Sequence, residues 1–223
     1  MQIFFTADTH FGHGPNRLGF GGIIYHAHRP FATVEEMDET IIKNWNDCVQ
    51  QGDQVWICGD FAWNRHASYL HRLNGKKFIV LGSHDKMPIE TLRLFAEVHN
   101  GMARRLFNKR VYILTHCAMR VWESSHYGSI NLYGHSHGRL PESDVKRQMD
   151  VGVDVWGYRP VPLELVEAVM EDRLFNKGDG DRSPEELVAA VDSLRVRNLE
   201  WREWYESKIV VDKKEVNWHS TGK

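Results

Sequence analysis

Five short apolar runs, each breaking off at a cluster of acid or imidazole side chains, constrain this chain more than any other feature. Run 2–6 leads into Asp8-Thr9-His10, run 54–58 into Gly59-Asp60, and run 77–81 into Gly82-Ser83-His84-Asp85. Run 111–114 leads into Thr115-His116, and run 130–133 into Gly134-His135-Ser136-His137. An apolar run this short is how a strand buried on both faces of a sheet reads. In open α/β sheets, ligands bind outside the carboxyl ends of the strands, so these ends are expected to converge on one site. Asp and His together suit a hard-to-borderline divalent ion. Five such ends are too many for one tetrahedral ion and suit two ions sharing a carboxylate. Gly59, Gly82 and Gly134, each just ahead of a candidate ligand, are expected to supply permissive backbone for tight turns.

The intervening segments read as helices. Thr33 and Glu36 have capping-box spacing, and Met37, Ile41, Trp45 and Cys48 or Val49 recur at helical intervals. This predicts a helix over 33–53, stopped by Gly52-Asp53. Shorter helices are predicted over 66–73 and 88–95. The stretch 98–114 reads as a hairpin about Asn108-Lys109, followed by a strand over 148–153 and a helix over 162–171. Strands alternating with helices, then several adjacent strands, predict a layered α/β sandwich. Composition marks 176–182 as a linker closing a domain over 1–175. Ser183, Pro184 and Glu186 then open a new helix with an apolar face of Leu187, Val191, Leu194, Leu199, Trp201 and Trp204. The segment 183–223 is expected to be a helical appendage and tail packed on the domain surface. A dimer contact or a lid are the alternatives.

The motifs D-x-H, G-D, G-N-H-D, a lone H and G-H-x-H, in that order, resemble the calcineurin-like metallophosphoesterase superfamily. Asp8-Thr9-His10-Phe11-Gly12-His13, with Arg29-Pro30-Phe31 further on, is similar to its small bacterial and phage-type members. The resemblance runs from about residue 1 to about residue 171, and one position departs from it: Ser83 stands where the family has Asn. It implies a four-layer α/β/β/α sandwich of two mixed sheets with a dinuclear metal site at the C-terminal ends of strands. It implies that Asp8, His10, Asp60 and His137 hold one ion, and that Asp60, Ser83, His116 and His135 hold the other. His84 would hydrogen-bond the phosphate and protonate the leaving oxygen, with Asp85 orienting its ring. Asp8 and His10 are two residues apart, as are His135 and His137, so each pair can point one way from an extended segment.

Phosphate esters resist hydrolysis because their anionic oxygens repel nucleophiles. Two divalent cations neutralise those oxygens, bind nucleophile and substrate together, and lower the pKa of a bound water. The expected activity is hydrolysis of a phosphodiester or phosphomonoester of a small nucleotide type. The alternatives are a nuclease, a phosphoprotein phosphatase, or a non-catalytic scaffold of the same fold with a weakened second metal site. Manganese is the expected ion, with iron, zinc, nickel or cobalt also acceptable to such donors. His13, Arg29 and His126 are the substrate-binding candidates, Arg29 through a forked contact to a phosphate oxygen. Asp150 and Asp154 read as strand terminators. Cys48, Cys58 and Cys117 read as small buried hydrophobes of a reducing compartment. Cys117, next to His116, has a soft metal ligand as its second reading.

Net charge is −2, from 28 basic and 30 acidic residues, so no global basic field is available to hold nucleic acid. Arg104-Arg105 and Lys109-Arg110 fall around the predicted hairpin and read as a solvated edge. No apolar run approaches the ~20 residues of a membrane span. The start, Met1-Gln2-Ile3-Phe4-Phe5, lacks the basic n-region of a signal peptide. The chain is therefore expected to be cytoplasmic, with a second copy as its possible partner through the C-terminal helix.

Overall fold

A computed structural model describes residues 1–15, 21–140 and 147–171. The expected linker and appendage, 176–223, lie outside the described residues.

Among the described residues, nine strands and five α-helices follow one another. They are β1 (Ile3–Thr6), α1 (Ile23–His26), α2 (Val34–Cys48), β2 (Gln54–Ile57), α3 (His66–Arg72), β3 (Lys76–Leu81) and α4 (Ile89–Leu92), then β4 (Glu97–Asn100), β5 (Met102–Phe107), β6 (Arg110–Thr115), β7 (Ile130–Tyr133), β8 (Gln148–Asp150), β9 (Val161–Pro162) and α5 (Leu163–Glu171). They form two mixed sheets, as expected. The first has the order β4-β3-β2-β1-β9, parallel except for β9. The second has the order β5-β6-β7-β8, parallel except for β5.

The two-residue alternation of the first sheet feeds two cores. Phe5, Trp56, Cys58, Phe78 and Val80 join Tyr112, Leu114, Ile130, Leu132 and Met149 of the second sheet between the sheets. Leu165, Val166 and Val169 of α5 complete that core. The alternate residues Phe4, Val55, Ile57 and Ile79 pack with Met37, Ile41 and Trp45 of α2 and Leu70 of α3. Trp45 is fully buried, and its indole donates to the Asn74 carbonyl at 3.1 Å. Truncating it to Ala removes both the packing and that bond, at a cost of about 3–5 kcal/mol.

The helix predicted over 33–53 stops at Cys48, because Val49 is extended and buried. Its start is as expected: the Glu36 amide donates to Thr33 Oγ1 at 3.1 Å, while the Glu36 carboxylate reaches back to the Ala32 amide. Over 88–95 only one α-helical turn forms. The stretch 98–114 divides between the sheets: β4 pairs with β3, Gly101 turns at φ 84°, and β5 begins the other sheet. Asn108 and Lys109 both take positive φ, the two-residue turn whose twist matches a hairpin.

Backbone bonding carries the strand order beyond the strands. Asp8 N–H donates to Gly59 O at 3.0 Å, His10 N–H to Asp60 O at 3.0 Å, and Gly134 N–H to His116 O at 2.9 Å. The loop ends are thus tied together at one edge of the two sheets. Among the described residues, no helix is long and apolar enough to cross a membrane.

Candidate metal centre

Asp60 stands at the centre of this edge. Its Oδ1 accepts the His84 amide at 2.9 Å. Its Oδ2 lies 3.6 Å from His10 Nε2 and 3.2 Å from His116 Nε2. Asp8 Oδ1, His10 Nε2 and His116 Nε2 are buried without a hydrogen-bond partner. Buried polar atoms are almost always paired, so several orphans facing one carboxylate mark a place for a cation. Ligand atoms of Asp8, His10 and His137 lie within 4.8 Å of one another, and so do those of Asp8, Asp60 and His116. The donor set fits two divalent ions sharing Asp60, and it brings together the expected ligands Asp8, His10, Asp60, His116 and His137. His135 joins them through its edge-on contact with His116, ring centres 4.9 Å apart.

The imidazoles are held so that one nitrogen of each is left for an ion. His116 Nδ1 donates to Cys58 O at 2.9 Å. His137 Nδ1 pairs with Asp154 Oδ2 at 2.7 Å. His10 Nδ1 meets His13 Nδ1 at 3.3 Å. Asp154, which the strand-end reading took only to end a strand, holds the imidazole of the candidate ligand His137. Asp150 does the structural work expected of it, accepting the Gly152 and Gly138 amides.

Two expected roles change. Arg29, expected at a phosphate oxygen, is buried: its Nε and one terminal nitrogen both bond Asp154 at 2.8 Å, and it also donates to the Asp8 and Thr9 carbonyls. Asp85, expected to orient the His84 ring, instead accepts three amides, those of Asp60, Phe61 and Gly82, each at 2.8 Å. It locks the Asp60 loop to the Gly82 turn. Ser83 is exposed on that turn, and His126 is exposed on the 3-10 turn Ser125–Tyr127; neither lines the cleft over the centre.

Gly82 and Gly134 are needed for space, which differs from the expected reason. Neither has positive φ, but a Cβ on Gly82 would strike the Asp60 carboxylate, and one on Gly134 would strike Ala7 and Asp8. The left-handed backbone lies instead on candidate ligands: Asp8, His10, Asp60, His135 and His137 have φ of 57°, 50°, 53°, 67° and 49°. Such values are uncommon outside glycine and gather at functional sites.

The charges match this arrangement. Burial and then the Arg29 charge hold His10 down to about 2, which favours the neutral imidazole that a cation would need. Burial also lowers His116, but the proximity and charge of Asp60 outweigh it and raise the group to about 9. Burial would raise Asp60, yet His116 beside it leaves the carboxylate below its ordinary range. Burial raises Asp8 well above that range, with the Asp150, Asp154 and Asp60 charges adding to the effect.

The open cleft above the centre has a volume of about 380 Å³ and is lined in part by His13, His26, Trp63, His84 and His135. The His84 side chain is 40% exposed, with Nε2 3.9 Å from Asp60 Oδ2. Trp63 is 49% exposed and stacks flat on His13, ring centres 4.2 Å apart.

No family model matches the chain. It is 31% identical over 180 residues to the uncharacterized protein MJ1445 of Methanocaldococcus jannaschii, a match spanning 76% of this chain and 92% of that protein. It is 27% identical to the Gene 66 protein of Mycobacterium phage L5, over 77% of this chain and 97% of the relative. Among solved structures, the protein of unknown function AQ665 from Aquifex aeolicus matches with a TM-score of 0.57 and 19% identity, over 75% of this chain and 98% of that one. That structure shows a shared fold.

Proposed function

We propose that the chain is a calcineurin-like metallophosphoesterase dependent on two divalent ions that hydrolyses a small phosphodiester or phosphomonoester of nucleotide type, a reading supported by the order of its motifs and by its candidate ligand groups. The observation that carries this reading is Asp60 Oδ2, which faces the unpartnered Nε2 atoms of both His10 and His116. Asp8, His10 and His137 would hold one ion and His116 and His135 the other, with Asp60 between them. When bound, the pair of cations neutralises the phosphoryl oxygens and makes hydroxide available near neutral pH.

The chain's own residues do the rest. Asp85, which accepts the Asp60 amide, and the hydrogen bond from the His84 amide to Asp60 Oδ1 hold in place the carboxylate that would lie between the ions. The His84 side chain, open to solvent at the cleft, donates its proton to the leaving oxygen as the ester P–O bond breaks and oxygen from water bonds to phosphorus. It then takes a proton back from solvent. The small cleft favours a compact ester, and the exposed indole of Trp63, backed by His13, offers a flat surface for a nucleobase.

The test is a panel of aryl and nucleotide phosphoesters assayed with protein stripped of metal and then restored with manganese or another divalent ion. Activity is expected only after restoration, and Asp60→Asn is expected to lower metal content and turnover together. Full turnover by the stripped protein would overturn the reading.

A further inference from the structure

We infer that Cys117 is a ligand of the second ion, together with His116, His135 and Asp60. The inference rests on the two-ion reading above and assigns the donor that the asparagine-to-serine departure at position 83 leaves missing.

Four observations lead to it. Ser83 offers only a short hydroxyl at the position where the family carries the longer carboxamide, and it belongs to none of the groups whose ligand atoms lie within reach of one another. Cys117 Sγ and one nitrogen each of His116 and His135 lie within 4.8 Å of one another. Ligand atoms around a tetrahedral ion with bonds of ~2.0–2.3 Å stand on the order of 3.5 Å apart, so modest side-chain rotation completes the cluster. The third observation concerns His116. This residue is 7% exposed, its Nδ1 is committed to Cys58 O, and its Nε2 is buried and unpartnered. Asp60 Oδ2, 3.2 Å from that nitrogen, supplies the fourth donor.

The fourth observation is how Cys117 is held. Thr115 Oγ1 donates to the Cys117 carbonyl at 2.8 Å and itself accepts from Asn131 Nδ2 at 2.9 Å. Asn131 is fully buried on β7, the strand that leads to His135. The backbone at Cys117 is thus fixed to the strand that delivers its neighbouring ligand, while its side chain stays exposed.

A site of one thiolate, two imidazoles and a carboxylate differs in kind from one of carboxamide and imidazoles. Sulfur favours zinc and cobalt over manganese, whereas the first site, built from Asp8, His10, Asp60 and His137, is as hospitable to manganese as before. The chain would carry two unlike ions. Binding releases the thiol proton to solvent and forms one sulfur–metal bond, with no change of oxidation state.

The experiment uses the full chain, stripped and then loaded with two equivalents of cobalt(II). A thiolate-to-cobalt charge-transfer band in the near ultraviolet is expected in the unaltered protein and in Cys48→Ser, and not in Cys117→Ser. In parallel, zinc is expected to slow alkylation of Cys117 by iodoacetamide, read by peptide mass, by about tenfold or more. This second measurement needs no variant. Two bound cobalt ions without the band, a band that survives in Cys117→Ser, or alkylation indifferent to zinc would overturn the assignment and leave the phosphoesterase reading standing. Failure to bind cobalt at all would remove both.

Discussion

Arg29 and Asp154, 125 residues apart, form a two-pronged ion pair beside the candidate metal centre, with both N–O distances 2.8 Å and no exposure of the arginine side chain. Burial would raise the Asp154 carboxyl, but the Arg29 charge, with the bonds from His137 and Arg29, holds it at about 2. A fixed carboxylate fixes the proton of His137 on Nδ1 and leaves Nε2 as the donor to an ion. The same guanidinium grips the Asp8 carbonyl, so one side chain positions two ligands.

Asp154→Asn and Arg29→Lys are accordingly expected to weaken the first ion by about 10- to 100-fold, as loss of such supporting contacts does elsewhere. Lysine keeps the charge and loses the fork. Arg29→Ala leaves the buried Asp154 carboxylate without its cation and with only the His137 bond, and is expected to cost about 3–5 kcal/mol. Calorimetric metal titration and thermal unfolding check both. A variant with a higher KM and unchanged metal affinity would restore Arg29 to the substrate.

His84→Ala is expected to retain its ions and slow turnover by roughly 10²–10⁴. The loss should shrink for esters whose leaving group is already a stable anion, which a series of substituted aryl esters measures. An equal loss across the series would argue against proton donation.

Asp85→Asn separates anchoring from catalysis. An amide has one acceptor oxygen for three amide donors, so unfolding should occur at lower temperature and metal affinity should fall. Dependence on the leaving group should stay that of the unaltered enzyme. If Asp85→Asn steepens that dependence as His84→Ala does, Asp85 acts through the His84 ring after all.

For protein stripped of metal, His116 sets a pH trend. Its folded-state pKa, about 9, lies above the ordinary 6.5, so the stability it contributes is fully present below pH 6.5 and is lost as pH rises through 9. Thermal unfolding of the stripped protein should therefore move to lower temperature between those limits. An ion replaces the proton in the loaded protein, which should lack this slope. Parallel curves for the two forms would show that His116 is not the group displaced.

Trp63→Ala is expected to raise KM for nucleotide substrates by about tenfold or more, since one stacked base is worth ~1–3 kcal/mol, while leaving aliphatic phosphoesters little changed. Steady-state kinetics on matched esters, with and without a base, measures this. Equal effects on both classes would point to lost packing on His13.

What could be read from the sequence was local. Asp8 with His10, and His135 with His137, announce themselves by two-residue spacing at the end of apolar runs, and Asp60 by its place between them. Thr33 and Glu36 gave the start of α2 because a cap acts within one turn. The misread residues act across long separations. Nothing near Arg29 points to Asp154, and nothing near Asp85 shows that it will hold the amides of Asp60 and Phe61 as well as that of Gly82. The end of α2 and the passage between sheets at Gly101 were also missed, since both follow from which sheet edge lies nearby. The glycines were rightly singled out for a partly wrong reason, because close approach by Asp8 or Asp60 appears only once the loops are assembled.

The left-handed backbone at Asp8, His10, Asp60, His135 and His137 has a consequence for how such a chain drifts under mutation. Each of these turns costs an ordinary residue about 1–2 kcal/mol that glycine would not incur. A descendant that no longer used such ions would relieve that strain at each substitution toward glycine, so the loss of chemistry would favour small residues wherever the side chain's own hydrogen bonds are worth less than the strain. This chain keeps full-sized acids and imidazoles at all five. Sequences of the same fold can be sorted by that signature before any assay is run.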